Sequence, residues 1–220
     1  MQIATSIEFL HTASIILDDL PAMDDGLLRR GARTCHLDFG QPAAILTALW
    51  LCDAAQHFLH EFQFHKGAQP GCDLENHIRS TRSQMMSGQM LDIQSCANSE
   101  EEILEIYRLK SGVLFGFAAA APAWVLGLKD QAERLYNFGH FFGTAYQISD
   151  DIDDMVASER DLGKDVRKDA NKPTIPRIFG LERAQTLRDT YKQKAINELQ
   201  QLGKPINDLI GLVEKIISSS

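Results

Sequence analysis

Apolar residues return every three or four positions along nearly the whole chain, the period of helices that each bury one face. Ile3, Ile7, Leu10, Ser14 and Leu17 form the first such stripe, which leads straight into a run of acids. Pro21 stops that helix, because proline lacks an amide donor and crowds the preceding turn. A second helix is predicted to open at Gln41-Pro42, with proline at an early position, and to run through Ala43, Leu46, Leu49 and Trp50 toward Phe64. Residues 66–71 read as the clearest loop, and a third helix covers about 77–93. Ser99 and Glu102 have the spacing of a capping box and open a helix through Tyr107 and Leu109 toward Trp124. A long helix from Gln131 to about Met155 follows, in which Gly139 and Gly143 permit close approach of a neighbour. Residues 158–176 are polar and irregular, and two amphipathic helices complete the chain. No stretch alternates well enough to predict a strand. The pattern predicts one all-α domain over residues 1–220, with no repeat and no linker.

Composition narrows the function classes. At 44% hydrophobic and 24% charged residues the balance is that of a globular protein. A net charge of −8 argues against a general grip on nucleic acid or anionic membrane. Cys35, Cys52, Cys72 and Cys96 lie far apart without zinc-ligand spacing, and a reduced, cytoplasmic chain is expected. The longest nearly apolar run, 113–128, contains Pro122 and is too short for a transmembrane segment.

Two acidic clusters carry the chemistry. Asp18, Asp19, Asp24 and Asp25 are followed at once by Arg29 and Arg30, and Asp150, Asp151, Asp153 and Asp154 stand just after Gln147. Like charges within one or two turns repel, so each cluster costs stability unless something neutralises it. Asp150 and Asp154, four residues apart, share one helix face. Any one of these aspartates alone would read as a solvated helix-end acid. Two such rows, each ending an apolar helix, point instead to divalent cations gripping a phosphorylated ligand, with arginine as the phosphate fork.

Residues 8–40, which include the first cluster, resemble the first aspartate-rich region of the trans-isoprenyl diphosphate synthases. Residues 143–180 resemble their second aspartate motif and its basic tail. Between them, Ser87 to Ile93 and Leu109 to Gly112 resemble two further signatures of that family in the expected order. Within the family, the small residues before Asp18 are most like those of bacterial geranylgeranyl diphosphate synthases. The resemblance implies packed helices around a deep central cavity, the isoprenoid synthase fold, and a homodimer. It implies a Mg²⁺-dependent prenyltransferase that condenses an allylic diphosphate with isopentenyl diphosphate, with three Mg²⁺ ions bridging the aspartate rows to the allylic diphosphate.

Roles carry over by motif position. Asp18, Asp19 and Asp24 match the first metal row, Asp150, Asp151 and Asp154 the second, and Asp25 and Asp153 are auxiliary or structural. Arg29 matches the arginine that holds the allylic diphosphate, and Arg30 the one that reaches isopentenyl diphosphate. Lys110, Lys164 and Lys172 match lysines that neutralise the leaving diphosphate, whereas Lys168 is a surface charge. Ser111 and Gln147 match polar groups near the allylic cation. Gln89 and Asp92 either support the site or make a helix contact, and His11 and His36 are packing residues. Ala13 and Ser14, one turn before Asp18, are candidate walls of a chain-length pocket, or small residues that let helices pack.

Family members also carry upstream helices with a glycine-lysine-arginine motif and a histidine for isopentenyl diphosphate. Neither stands in these 220 residues, so Arg30 alone of that set is present. Two alternatives follow: an allylic-diphosphate lyase or cyclase that dispenses with isopentenyl diphosphate, or a truncated, non-catalytic subunit paired with a full-length homologue.

Overall fold

The computed structural model describes residues 1–65, 72–94, 96–160, 172–203 and 206–217. Along the chain run α1 (Gln2–Asp18), β1 (Leu28–Arg29), β2 (Ala32–Arg33), α2 (Cys35–Phe39), α3 (Gln41–His65), α4 (Leu74–Gln94) and α5 (Glu100–Tyr107). A π-helical turn, Arg108–Gly112, then leads into α6 (Val113–Val125), α7 (Lys129–Arg160), α8 (Ile175–Phe179), α9 (Leu181–Gln200) and α10 (Asn207–Ile217). The chain divides into two compact units, Met1–Arg79 and Ser80–Ser220.

In the first unit α1 packs on α3. The buried positions of α1 are Ser6, Leu10 and Ala13, so the inward face is turned from the Ile3–Ile7 stripe toward the small residues. Ala13 is fully buried against Ala48 and Leu51, with Phe9, Ile16 and Leu17 packed around them. Small side chains let the two helix backbones approach, and the larger ones close the edges.

The first unit also corrects one expectation, because it contains a short antiparallel hairpin in which Leu28 pairs with Arg33 and Arg29 with Ala32. Its loop, Arg30-Gly31, has φ 53° and 79°, the left-handed pair of a type I′ turn whose twist suits a hairpin. Two-residue strands are too short to show alternation, which is why the pattern of the sequence passes over them.

In the second unit the expected helices form. Ser99 closes both halves of its capping box: its Oγ accepts from the Glu102 amide at 3.2 Å, and Glu102 Oε2 accepts from the Ser99 amide at 3.1 Å. One core gathers Ile103, Ile106, Ile148, Ile152, Ile175 and Leu187. A second gathers Phe138, Phe142, Leu199, Val213 and Ile217. Between α6 and α7 the backbones nearly touch: a Cβ on Gly139 would lie 2.3 Å from the Phe115 carbonyl oxygen, and one on Gly143 2.8 Å from Gly112 Cα. Such contacts admit only glycine, and they fix how α7 is seated. The loop expected at 66–71 lies outside the described residues.

Candidate active site

Each aspartate row belongs to its own unit. In the first, Asp18 is the last residue of α1 and Asp19 caps it. The chain then doubles back, so that the Asp24 amide donates to the Asp18 carbonyl at 2.9 Å and the Asp25 amide to the Leu20 carbonyl at 3.0 Å. Pro21 therefore stands in a turn that brings Asp24 back beside Asp18. Asp19 is 3% exposed, and its Oδ1 accepts from Arg29 Nη2 at 2.7 Å and Nε at 3.3 Å. That hydrogen bond holds the Arg29 guanidinium above its ordinary value, against the cost of burial.

Sequence reasoning missed what supports this turn. A Cβ on Gly26 would lie 2.7 Å from Asp19 Oδ1, so only glycine leaves the carboxylate its place. Thr34 Oγ1 donates to the Gly26 carbonyl at 2.8 Å and lies 3.2 Å from His36 Nδ1. His36 Nε2, buried, stands 4.0 Å from Asp25 Oδ1. His36 is thus a packing residue, but one that props the acidic turn. Arg30 is exposed at the hairpin tip. Ser14, half-buried, donates to the His11 carbonyl at 2.8 Å, and its position four residues before Asp18 puts it on that residue's face of α1. Burial pushes His11 below the ordinary histidine range; Glu8 opposes that shift, and Arg30 and Arg29 add to it.

In the second unit two hydrogen-bonded groups of described residues adjoin where Lys110 is followed by Ser111 in the chain. Lys110 Nζ donates to Asp92 Oδ2 at 2.6 Å, and Lys172 Nζ reaches the same oxygen at 3.3 Å. Burial pushes the Asp92 carboxyl up, but Lys110 and then Lys172 outweigh it and hold it below the usual carboxylate range. The residue after Lys110, Ser111, donates to Gln147 Oε1 at 3.0 Å, and Gln147 Nε2 donates to Asp151 Oδ1 at 3.3 Å. Tyr107 donates to Asp151 Oδ2 and accepts from the Ile175 amide at 3.1 Å. Together the two groups link the end of α4, the π-helical turn, α7 and residues 172–175.

The π-helical turn is what aims them. π turns widen the helix by a residue and recur at functional sites. This one is clasped from both sides: a Cβ on Gly88 of α4 would lie 2.7 Å from the Lys110 amide nitrogen, and one on Gly112 3.1 Å from the His140 carbonyl of α7. Gly88 in the Ser87–Ile93 signature is therefore a close-approach position. Pairing of Tyr107 with Asp151 and of Ser111 with Gln147 sets four residues on one helix against four on the other, running opposite ways.

Within the second row, Asp150, Asp153 and Asp154 are exposed while Asp151 is half-buried. Burial pushes the Asp151 carboxyl up to about 7, against the hydrogen bonds from Tyr107 and Gln147 and with Asp150 and Asp154 adding repulsion. A row with that charge problem suits a cation. Asp150 and Asp154, one turn apart on an exposed face, offer hard oxygens of the kind magnesium takes alongside phosphate oxygens. Among the described residues no three His, Cys, Asp or Glu side chains converge as a closed metal cage. Lys164 and Lys168 lie outside the described residues.

The fold is that of solved isoprenoid synthases. An isoprenoid synthase family member from Thermotoga neapolitana matches with a TM-score of 0.82 at 26% identity, covering 98% of this chain and 76% of that one. An FPP/GFPP synthase from Zymomonas mobilis matches with a TM-score of 0.81 at 29% identity, covering 98% of this chain and 75% of that one. The profile of the Polyprenyl synthetase family matches residues 1–207, and the chain belongs to that family. Among curated relatives, the geranylgeranyl diphosphate synthase of Cyanophora paradoxa is 30% identical over 98% of this chain and 74% of its own length. The heterodimeric geranylgeranyl pyrophosphate synthase large subunit 1, chloroplastic, of Arabidopsis thaliana is 33% identical over 90% of this chain. The chain spans 57% of the length of that Arabidopsis relative.

Proposed function

We propose that this chain is a short-chain prenyltransferase that joins an allylic diphosphate to isopentenyl diphosphate, with geranylgeranyl diphosphate as the main product. The observation that carries the reading is the arrangement in which Lys110 and Lys172 share Asp92 while Ser111 and Gln147 tie the same turn to the second aspartate row. In the reaction, the allylic C–O bond breaks and its electron pair leaves with the diphosphate. The double bond of isopentenyl diphosphate then forms the new C–C bond, and a proton departs to the released diphosphate. Mg²⁺, three ions by the family resemblance, supplies the charge that stabilises this leaving group.

The chain's own residues divide the remaining work. Asp18, Asp19 and Asp24 from the first row, and Asp150, Asp151 and Asp154 from the second, are the metal-binding carboxylates. Asp19 holds the Arg29 fork in place, and that fork takes the allylic diphosphate. Lys110, Lys164 and Lys172 take up the departing negative charge. Asp92, by holding Lys110 and Lys172, keeps their ammonium groups in place. Ser111 and Gln147, whose hydrogen bond holds them to one another, present neutral dipoles to the cation. Arg30 reaches isopentenyl diphosphate.

The two compact units form a single isoprenyl synthase domain, a reading supported by a family match that runs unbroken through both. A homodimer is supported by the exposed apolar stripe Ile45, Leu46, Leu49 and Trp50 on α3. A cytoplasmic location is supported by four free cysteines. No described helix is long and apolar enough to cross a membrane.

The test is product analysis with Mg²⁺, farnesyl diphosphate and isopentenyl diphosphate. Geranylgeranyl diphosphate is expected. Release of diphosphate and a hydrocarbon from the allylic substrate alone would identify the lyase or cyclase instead, and no turnover without a full-length homologue would identify the subunit. Ser14→Phe, on the face of Asp18, is expected to shorten the product. Ala13→Phe, buried against Ala48, is expected to overpack α1 on α3 at a cost of about 1–3 kcal/mol.

A further inference from the structure

The reaction as derived gives no task to Tyr107, yet its hydroxyl stands at the junction of three segments. The residue is 5% exposed. It donates to Asp151 Oδ2 while accepting from the Ile175 amide at 3.1 Å, so both functions of the hydroxyl are spent on named partners. A phenolic hydroxyl keeps its proton at neutral pH, so towards the carboxylate it stands as a donor.

A carboxylate has about four lone-pair sites. Tyr107 occupies one on Oδ2, and Gln147 Nε2 occupies one on Oδ1 at 3.3 Å. Two donors, one per oxygen, define the plane of the carboxylate and leave a lone pair on each oxygen to face a cation. Outer partners of this kind orient metal-binding side chains, and their removal typically weakens metal affinity by about 10- to 100-fold. Tyr107 does this from α5, across to α7, and its own angle is set by a backbone amide of Ile175 at the start of α8. A backbone donor cannot swing away as a side chain can, so the hydroxyl is held from behind.

Resting on the reading of Asp151 as a magnesium carboxylate, we infer that Tyr107 is a positioning residue: its hydroxyl aims Asp151 at the cation and ties that aim to the backbone at Ile175. Phenylalanine at 107 would keep the ring in the core with Ile103, Ile148 and Ile175 and lose only the hydroxyl.

The experiment titrates Mg²⁺ into the full chain with inorganic diphosphate present, by calorimetry, for the wild type, Tyr107→Phe and Tyr191→Phe. Mg²⁺ affinity is expected to fall about 10- to 100-fold in Tyr107→Phe and to be unchanged in Tyr191→Phe, a ring on α9. Equal affinity in all three proteins, with Tyr107→Phe folded by near-ultraviolet dichroism, would overturn the inference while leaving the metal site intact. Absence of Mg²⁺-dependent binding in the wild type itself would instead overturn the reading of the site. Should Tyr107→Phe not fold, the wild type labelled with 3-fluorotyrosine replaces it. The fluorine resonance least reached by a soluble paramagnetic probe, that of Tyr107, is expected to shift when Mg²⁺ and diphosphate bind together, and a resonance that stays put would overturn the inference.

Discussion

At the scale of single residues, the site is organised by carboxylates that already have partners. Asp19 is committed to Arg29, and Asp92 to two lysines. The Asp92 side chain is 17% exposed, against 20% for Lys110 and 26% for Lys172, so all three groups are largely out of water. Asp92→Asn leaves two ammonium groups facing a neutral amide, and the expected loss of stability is about 1–3 kcal/mol, as for a partly buried charge left unpaired. With Mg²⁺ present, inorganic diphosphate should return part of that loss, because the anion supplies the charge the variant lacks. Thermal unfolding in Mg²⁺ with and without diphosphate measures it, and a loss that diphosphate does not reduce would mean the two lysines do not face the ligand. Lys110 and Lys172 are legible from motif position, whereas the sequence leaves Asp92 balanced between support and helix contact. The distances put Asp92 against both lysines, a meeting that nothing in the spacing of residues 92, 110 and 172 foretells.

At the scale of elements, glycines decide where helices meet. Gly88, Gly112, Gly139 and Gly143 all lie where a Cβ would come within 3.1 Å of a neighbour's backbone. Gly139→Ala drives a methyl to 2.3 Å from the Phe115 carbonyl oxygen, which neither helix can accommodate without moving, and a loss of about 3 kcal/mol is expected, the upper end for overpacking. A Cβ on Gly211 in α10 would meet nothing within 4 Å, so Gly211→Ala should stabilise by about 0.5–1 kcal/mol through helix propensity. Chemical denaturation of both variants separates the two kinds of glycine; equal effects would contradict the close α6–α7 contact. Most helices are legible because a 3.6-residue period repeats over several turns in each. The hairpin at 28–33 and the short α2 and α8 are not, because each is too brief for a period to emerge. The π-helical turn is hidden for a different reason: its residues continue a helical pattern, and only the contacts with Gly88 and α7 reveal the extra residue.

At the scale of the whole molecule, two acidic rows that are costly in isolation are kept, on the proposed function, because a cation-bearing diphosphate relieves them. The rows and the arginines beside the first are legible as chemistry, since clustered like charge has few structural uses. The role of Tyr107 is not, because it depends on the opposed register of α5 and α7, and that register is a tertiary fact. Net charge of −8 sharpens the expectation, for the chain should repel an anion wherever no metal intervenes. The most direct test is calorimetric titration of inorganic diphosphate into the wild-type chain with Mg²⁺ and again with a chelator. Tight binding is predicted with Mg²⁺, and little or none without it, with Asp150→Ala abolishing the difference. Diphosphate affinity that is the same with and without Mg²⁺ would contradict the proposed site.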